Sequence, residues 1–214
     1  CFFSMMDFCA ILPEDVENAL QKSIIEKKQQ ADGKTEKDFG GDREKNQNRI
    51  QTDIQAVMIV SPTYDGVCSD VRRIAGICHR YGVPLIVDQA HGAHFPFSKY
   101  FPEDAVSAGA DVVIHSVHKT LPCLTQTGVI HLCSDRVSRE KLKRFLGIYQ
   151  SSSPSYILMS SIDACMDKLE REGDEMFRVF TENLEKARRR LSGCKYIRLV
   201  TPQACECQRV FDFD

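Results

Sequence analysis

The middle of this 214-residue chain alternates between short apolar segments and helical patterns, and this alternation restricts the possible fold more than any other feature. Strands that are apolar throughout and are separated by helices predict a mostly parallel sheet with helices on both faces. The sequence therefore predicts an α/β fold with three layers, α/β/α. The segments predicted to be strands are Ile54 to Val60, Leu85 to Val87, Asp111 to Ile114 and Thr127 to Cys133.

Polar residues follow three of the predicted strands. Ser61 comes directly after the first strand, Asp88 after the second, and Ser116 shortly after the third. In sheets of this kind, functional groups gather beyond the carboxyl ends of the strands. We therefore expect these residues to share one edge of the sheet with Lys119, which follows Ser116 closely in the chain.

The pair Asp88 and Lys119 has the order that a pyridoxal phosphate (PLP) site requires. A lysine just past one central strand can form a Schiff base with the cofactor once its amine is deprotonated. An aspartate at the end of the neighbouring strand can hold the pyridine nitrogen protonated, so that the ring accepts electrons. Taken alone, Lys119 is also compatible with a surface lysine in a loop, and Asp88 with the N-cap of a helix.

Four motifs together resemble the Orn/Lys/Arg decarboxylase family, strongly from about Ile54 to Leu132 and more weakly to the C-terminus. Enzymes of this family use PLP and have fold type I, the aspartate-aminotransferase type. The resemblance implies an incomplete PLP-binding large domain and a homodimer or higher homo-oligomer. The motifs are Ser61-Pro62-Thr63-Tyr64-Asp65-Gly66, Asp88-Gln89-Ala90-His91-Gly92, Ser116-Val117-His118-Lys119-Thr120-Leu121 and Thr125-Gln126.

The resemblance also implies a role for each matched side chain. Ser116 and His118 are expected to contact the cofactor phosphate or to bracket the Schiff base. His91 is expected to reach the phenolic oxygen of the ring, and Thr63 lies in a turn that passes beside the ring in related folds. The expected catalytic residues are Lys119, Asp88 and His118.

Decarboxylation of lysine, ornithine or arginine to a polyamine or its precursor is the function that the resemblance implies. Lys119 or His118 would return a proton to the substrate carbon after CO2 leaves. A different fold type I enzyme, such as an aminotransferase, a lyase or a cysteine desulfurase, would use the same Asp88 and Lys119. Gln89 stands where many relatives have glutamate, and the difference is expected to matter little because Asp88 carries the charge.

An inactive truncated fragment is the third hypothesis. The phosphate-binding loop and the ring-stacking residue of the family are not found in this sequence. The chain begins with Cys1 rather than methionine and ends at Asp214, so we interpret it as part of a longer protein. Residues 1–150 are assigned to the PLP-binding domain, and residues 151–214 to a helical connection and the start of a small C-terminal domain.

Helices are predicted on both sides of the sheet region as well as within it. A polar, mobile insertion is predicted at residues 26–49, where lysine, glutamate, aspartate, glutamine and asparagine dominate. The predicted helices are Pro13 to Glu26, Ser69 to Arg80, Arg136 to Phe145, Ser155 to Arg171 and Asp174 to Leu191.

Composition argues against several classes of partner. The formal net charge of −2 predicts no general attraction to nucleic acid or to anionic membranes, and no apolar run approaches the ~20 residues of a spanning helix. The ten cysteines include no Cys-x-x-Cys pair, so buried reduced thiols in a cytoplasmic protein are expected. His91 and His94 would be a poor metal pair without a third ligand, so no metal site is expected. His79, on a helix, is interpreted as structural.

Overall fold

The computed structural model describes residues 10–32, 52–151, 153–196, 199 and 212–213. A short 3₁₀ helix spans Phe95–Phe97. The strands are β1 (Val57–Val60), β2 (Val67–Cys68), β3 (Leu85–Asp88), β4 (Val112–His115), β5 (Val129–Leu132) and β6 (Asp212–Phe213). The α-helices are α1 (Pro13–Asp32), α2 (Val71–Arg80), α3 (Val117–Thr120), α4 (Arg139–Tyr149) and α5 (Tyr156–Ser192).

The four longer strands form one mixed sheet in the order β1-β3-β4-β5. Strands β1, β3 and β4 are parallel, and β5 runs antiparallel to β4. Val60 lies opposite Asp88, and Asp88 lies opposite Ile114. The carboxyl ends of the three parallel strands therefore meet at one edge of the sheet, which confirms the predicted mostly parallel α/β arrangement. Strands β2 and β6 form a separate antiparallel pair.

The main core lies between one face of the sheet and helices α1 and α2. Helix α2 begins after Asp70, whose side chain accepts a hydrogen bond from the Arg73 backbone N–H at 3.0 Å. Ile74 on this helix and Leu20 on α1 are fully buried against the sheet. On the edge strand β1, Ile59 points into this core, because successive side chains of a strand alternate between its faces.

The opposite face of β1 differs from the expectation that both faces are covered. Met58 and Val60 have 60% and 45% of their surface exposed. They alternate with Ile59, so the helices that bury Ile59 cannot reach them.

A second core joins helix α5 to the segment that follows β4. Cys165, Leu169 and Phe177 supply the α5 side of this core. Most of the other members come from the segments that follow β3 and β4, and they are Ala93, Phe95, Phe101, Val117 and Leu121. This core packs α5 against the short helix α3 and so sets the position of the residues around Lys119.

Three predicted helices have different boundaries in the structure. Helix α4, predicted from Arg136 to Phe145, spans Arg139–Tyr149. Helix α5 is one continuous helix from Tyr156 to Ser192 where two helices were predicted. The predicted break between Arg171 and Asp174 does not occur, because Gly173 is buried within the helix and no proline interrupts the segment. Helix α1 continues to Asp32, so the beginning of the expected polar insertion is helical, and residues 33–51 lie outside the described residues.

The described part of the chain also bears on the cysteine and membrane predictions. Cys68, Cys78 and Cys165 are buried thiols, as the apolar pattern around them predicts. Burial raises the pKa of the Cys78 thiol to about 11, which makes it a poor nucleophile near neutral pH. No helix among the described residues combines the length and the apolar character needed to cross a bilayer.

Candidate active site

The sheet topology brings Asp88 and Lys119 to the same edge. Strand β3 ends at Asp88, and its neighbour β4 ends at His115. Ser116 then begins the single turn of α3, in which the Lys119 backbone N–H donates to the Ser116 carbonyl at 2.9 Å. The parallel pairing of β3 and β4 therefore places Asp88 and the Lys119 turn at the same edge of the sheet.

Lys119 makes a direct contact with His91. The distance between Lys119 Nζ and His91 Nε2 is 3.1 Å. The pKa of His91 is lowered by burial and by the positive charge of Lys119, while Asp88 acts in the opposite direction. The ring of Tyr64 meets the His91 imidazole edge-on, with the ring centroids 5.4 Å apart. Lys119, His91 and Asp88, which the sequence analysis singled out, thus lie near one another. Tyr64 lies beside His91.

The turn after Asp88 holds the carboxylate and His91 in a fixed relation. Asp88 Oδ1 accepts a hydrogen bond from the Ala90 N–H at 3.0 Å, which is an Asx turn rather than the N-cap of a helix. Gly92 closes the turn through its N–H to the Gln89 carbonyl at 3.0 Å. A Cβ atom at Gly92 would lie 2.8 Å from Gln89 Cγ and 2.9 Å from Pro62 Cδ, so this position requires glycine.

Ser116 and His118 flank Lys119 in different ways. Ser116 occupies the N-cap position of α3, but its side chain makes no capping hydrogen bond there. His118 Nδ1 donates to the Thr127 carbonyl at 2.6 Å, which ties its ring to the segment before β5. The Ser116 hydroxyl therefore makes no hydrogen bond to the first turn of α3. One ring nitrogen of His118, Nδ1, is already used in the hydrogen bond to Thr127.

Thr63 stabilises the turn between β1 and β2 through hydrogen bonds. Its hydroxyl accepts from the Val67 N–H at 3.1 Å, and its own N–H donates to the Val67 carbonyl at 2.8 Å. This pairing fixes the position of Tyr64, the next residue, beside His91. Tyr64 was missed from the sequence, where its only signal was an aromatic residue directly after the matched Thr63.

Gln89 has a larger role than the sequence suggested. It is only 1% exposed, and its Oε1 accepts hydrogen bonds from His115 Nε2 at 2.8 Å and from the Ala105 N–H at 3.2 Å. His115 Nδ1 in turn lies 3.1 Å from His131 Nε2. Because the amide oxygen only accepts, His115 carries its proton on Nε2 and accepts from His131. This chain of hydrogen bonds links β3, β4 and β5 directly behind the site.

His94 and His79 have structural surroundings. His94 is buried against Phe101, with ring centroids 4.4 Å apart, and burial lowers the pKa of His94 to about 4. His79 Nε2 lies 2.9 Å from Asp111 Oδ2, in agreement with its structural interpretation. Within the described ranges, no group of three or more histidine, cysteine, aspartate or glutamate side chains could hold a metal ion.

A cavity of about 890 Å³ opens between the Lys119 turn and helix α5. Lys119 and Thr120 line one side, and Phe177 and Phe180 line the other. Small-molecule sites are commonly concave spaces of this order with mostly apolar walls. Lys119 therefore has room beside it for a bound organic molecule.

The donor set fits PLP. An exposed lysine amine can form a C=N bond with the cofactor carbonyl, and a carboxylate at the adjacent strand end can pair with a pyridinium N–H. The imidazole of His91 lies against the amine, and its Nδ1 is buried with no hydrogen-bond partner among the described residues. The Ser116 hydroxyl can donate to a phosphate oxygen.

Comparison with known proteins identifies relatives of the chain. The family described as Orn/Lys/Arg decarboxylase, major domain, matches residues 13–214. Arginine decarboxylase of Bacillus subtilis (strain 168) is 30% identical over 162 residues, which are 76% of this chain and 33% of that protein. The uncharacterized protein YaaO of the same organism is 44% identical over 112 residues, 52% of this chain and 23% of its own length.

A solved structure of the constitutive lysine decarboxylase of E. coli is also similar, with a TM-score of 0.49 and 23% identity over 64% of this chain and 20% of that one. The chain thus spans about a third or less of the length of these relatives.

Proposed function

The chain belongs to the Orn/Lys/Arg decarboxylase family, and from this premise we propose that it contributes Lys119 and Asp88 to a PLP-dependent site that decarboxylates a basic amino acid. The single observation that supports this most is the meeting of the two side chains at one sheet edge, with His91 in contact with Lys119 Nζ at 3.1 Å. The same residues match the family motif in order and spacing.

Each side chain has a distinct task in this proposal. The cofactor, when bound, supplies an electron sink for the bond that breaks between the substrate α-carbon and its carboxylate. Asp88 would accept a hydrogen bond from the pyridine N–H and would keep that nitrogen protonated. Lys119 Nζ would hold the cofactor at its carbonyl carbon, and Ser116 and His118 would hold the phosphate. Lys119 or His118 then returns a proton to the α-carbon.

Arginine, lysine and ornithine are the proposed substrates. Relatives named arginine decarboxylase favour arginine within this class. Polyamine or polyamine-precursor formation, a homodimer and a cytoplasmic location belong to the same proposal, because they are what the family resemblance implies. The Thr63 hydroxyl already accepts a hydrogen bond from the Val67 N–H. In this proposal Thr63 therefore lies beside the cofactor through the position of its turn and not through its hydroxyl.

The attachment site is tested by borohydride reduction in the presence of PLP, followed by peptide mapping. We expect the phosphopyridoxyl group on Lys119 in the unaltered chain and its loss in Lys119→Ala. Lys99→Ala is the matched control, since Lys99 is also exposed and is not part of the site. A stoichiometric label on a different lysine would refute the assignment.

The reaction is tested separately, by measuring CO2 release from arginine, lysine and ornithine, with leucine as the control substrate. Decarboxylation produces CO2 and an amine in equal amounts. A keto acid or sulfide in place of these products would favour an aminotransferase or a desulfurase. Labelling of Lys119 without any turnover would favour the inactive-fragment hypothesis.

A further inference from the structure

The imidazole of His91 lies in hydrogen-bonding contact with Lys119 Nζ, the atom that would form the bond to the cofactor. The two nitrogens, Nζ and Nε2, are 3.1 Å apart, a distance across which a proton can be shared. A lysine ammonium only donates, so His91 Nε2 accepts from it, and the imidazole proton then lies on Nδ1. Nδ1 is buried without a partner in the described part of the chain. The imidazole is therefore oriented with its Nε2 lone pair toward Lys119.

The groups around His91 keep it able to take up a proton. Lys119 faces it from α3, Asp88 from the end of β3, and Tyr64 from the turn after β1. Burial and Lys119 lower the pKa of His91 below its ordinary value of 6.5, so the ring is neutral at pH 7. Asp88 opposes this shift and would stabilise the imidazolium once it forms.

We propose that His91 is a catalytic residue that relays protons at Lys119 Nζ each time a C=N bond is made or exchanged there. This inference rests on the proposed PLP site and adds to it a proton-transfer role for a residue that the sequence assigned to cofactor binding alone. It requires His91 to touch the reacting nitrogen, which is the contact observed.

The chemistry balances without any additional reactant. The Lys119 ammonium first releases one proton to solvent, and a carbonyl then combines with the resulting primary amine to give a C=N bond and one water molecule. The nitrogen loses both of its protons, and both end on the departing oxygen. His91 Nε2 accepts a proton from Nζ and then donates it to that oxygen, which leaves the imidazole neutral again. When a substrate amine replaces Lys119, the entering nitrogen loses two protons and Nζ gains two, and His91 Nε2 carries them from one nitrogen to the other.

The rate of covalent attachment of PLP to Lys119 tests this role without measuring turnover. Samples are quenched with borohydride over time at pH 5 to 9, and the label on the Lys119 peptide is quantified. We expect His91→Gln to slow attachment by about 100-fold, the lower end of the usual effect of general acid–base catalysis. The pH dependence due to His91 should vanish.

Two controls separate proton transfer from a structural effect. His79→Gln, which alters a histidine bonded to Asp111 on α2, should leave both the rate and the pH profile unchanged. His91→Gly should be slow, and imidazole added to the solution should restore much of its rate, because a free base can occupy the vacated position.

The outcomes distinguish this inference from the proposed function. An unchanged rate and pH profile in His91→Gln, with normal labelling of Lys119, would overturn the relay and leave the PLP site standing. A slow His91→Gly variant that imidazole does not rescue would likewise refute it. Absence of label on Lys119 in the unaltered chain would overturn the proposed site and the relay together.

Discussion

Gln89 and Asp111 are buried polar side chains that join neighbouring strands through hydrogen bonds rather than through apolar packing. Asp111 is completely buried, and its Oδ2 accepts from the Leu85 N–H at 2.8 Å and from His79 at 2.9 Å. Its Oδ1 accepts from the Ser134 hydroxyl. Gln89 and Asp111 therefore lie at opposite ends of the β3–β4 pair, and each supplies acceptors that apolar residues could not replace.

Replacing Gln89 tests how much its hydrogen bonds stabilise the fold. Gln89→Leu would leave the His115 Nε2–H and the Ala105 N–H buried without an acceptor. A buried donor without a partner costs about 1–3 kcal/mol, so we expect the free energy of unfolding in urea to fall by about 3 kcal/mol. Gln89→Glu keeps the acceptor, and its charge should raise the pKa of His115, which NMR titration of the ring can follow.

Gln55→Leu is the matched control for this experiment. Gln55 is exposed, and its side chain donates at 3.4 Å to the Asp53 carbonyl. A surface substitution of this kind changes stability by about 0.5 kcal/mol or less. Equal stability of Gln89→Leu and Gln55→Leu would show that the buried network contributes nothing.

At the scale of helices and strands, the positions of the sheet strands follow from the sequence because each is a short apolar run. Their ends shift by a few residues, as β1 begins at Val57 rather than Ile54. Helix starts depend on capping side chains, so α2 begins after Asp70 and α4 after Ser138. The antiparallel pair of β2 and β6 was not predicted, because each strand has only two residues and so shows no detectable periodicity.

Some features of the candidate site could likewise be predicted from the sequence, and others could not. The placement of Asp88 and the Lys119 turn at one edge of the sheet could be predicted because parallel strands end at one edge. The contact of Tyr64 with His91 could not, because it depends on the exact turn that Thr63 and Val67 close. Side-chain contacts between distant segments have no local signal in a single sequence.

The continuity of helix α5 leads to a prediction for Gly173. A Cβ atom there would meet Leu169 Cβ at 3.8 Å and Cδ2 at 3.9 Å, which are ordinary contact distances. Alanine has a higher helix propensity than glycine by about 1 kcal/mol, so Gly173→Ala should raise the free energy of unfolding by about that amount. Thermal unfolding followed by circular dichroism measures the change.

Gly92→Ala is the contrasting variant. Its Cβ would lie within 3.0 Å of Gln89 and Pro62, so this substitution should destabilise the chain. If Gly173→Ala were also destabilising, the result would favour the two separate helices predicted from the sequence, which end at Arg171 and begin at Asp174.

At the scale of the whole molecule, the buried titratable groups determine how the fold responds to acid. His94 and His115 are both buried, and burial lowers the pKa of each to about 4. Burial disfavours charge on Asp111, but hydrogen bonds from Ser134, Leu85 and His79 outweigh it and lower its pKa. Both kinds of shift favour the native state at neutral pH.

The chain should therefore lose stability in two stages as the pH falls. A histidine whose native pKa is about 4 binds a proton more readily when unfolded, so the loss begins near pH 6.5 and ends near pH 4. Within that window each histidine removes about 1.4 kcal/mol per pH unit. Asp111 contributes stability above its unfolded pKa of 3.8, and this contribution is lost below that value as the pH approaches the lower native pKa.

His94→Phe separates the contribution of one histidine from the rest. The variant keeps an aromatic ring against Phe101, and it loses no hydrogen bond at Nδ1, which has no partner among the described residues. Urea unfolding from pH 8 to pH 4.5 should show a shallower fall in stability below pH 6.5 for this variant than for the unaltered chain. Above pH 7, where both forms of the chain have a neutral group at this position, their difference should be constant. A fall of equal steepness in both proteins would mean that His94 is not buried as a neutral ring. The aromatic core between α5 and the candidate-site edge of the sheet would then have to be arranged differently.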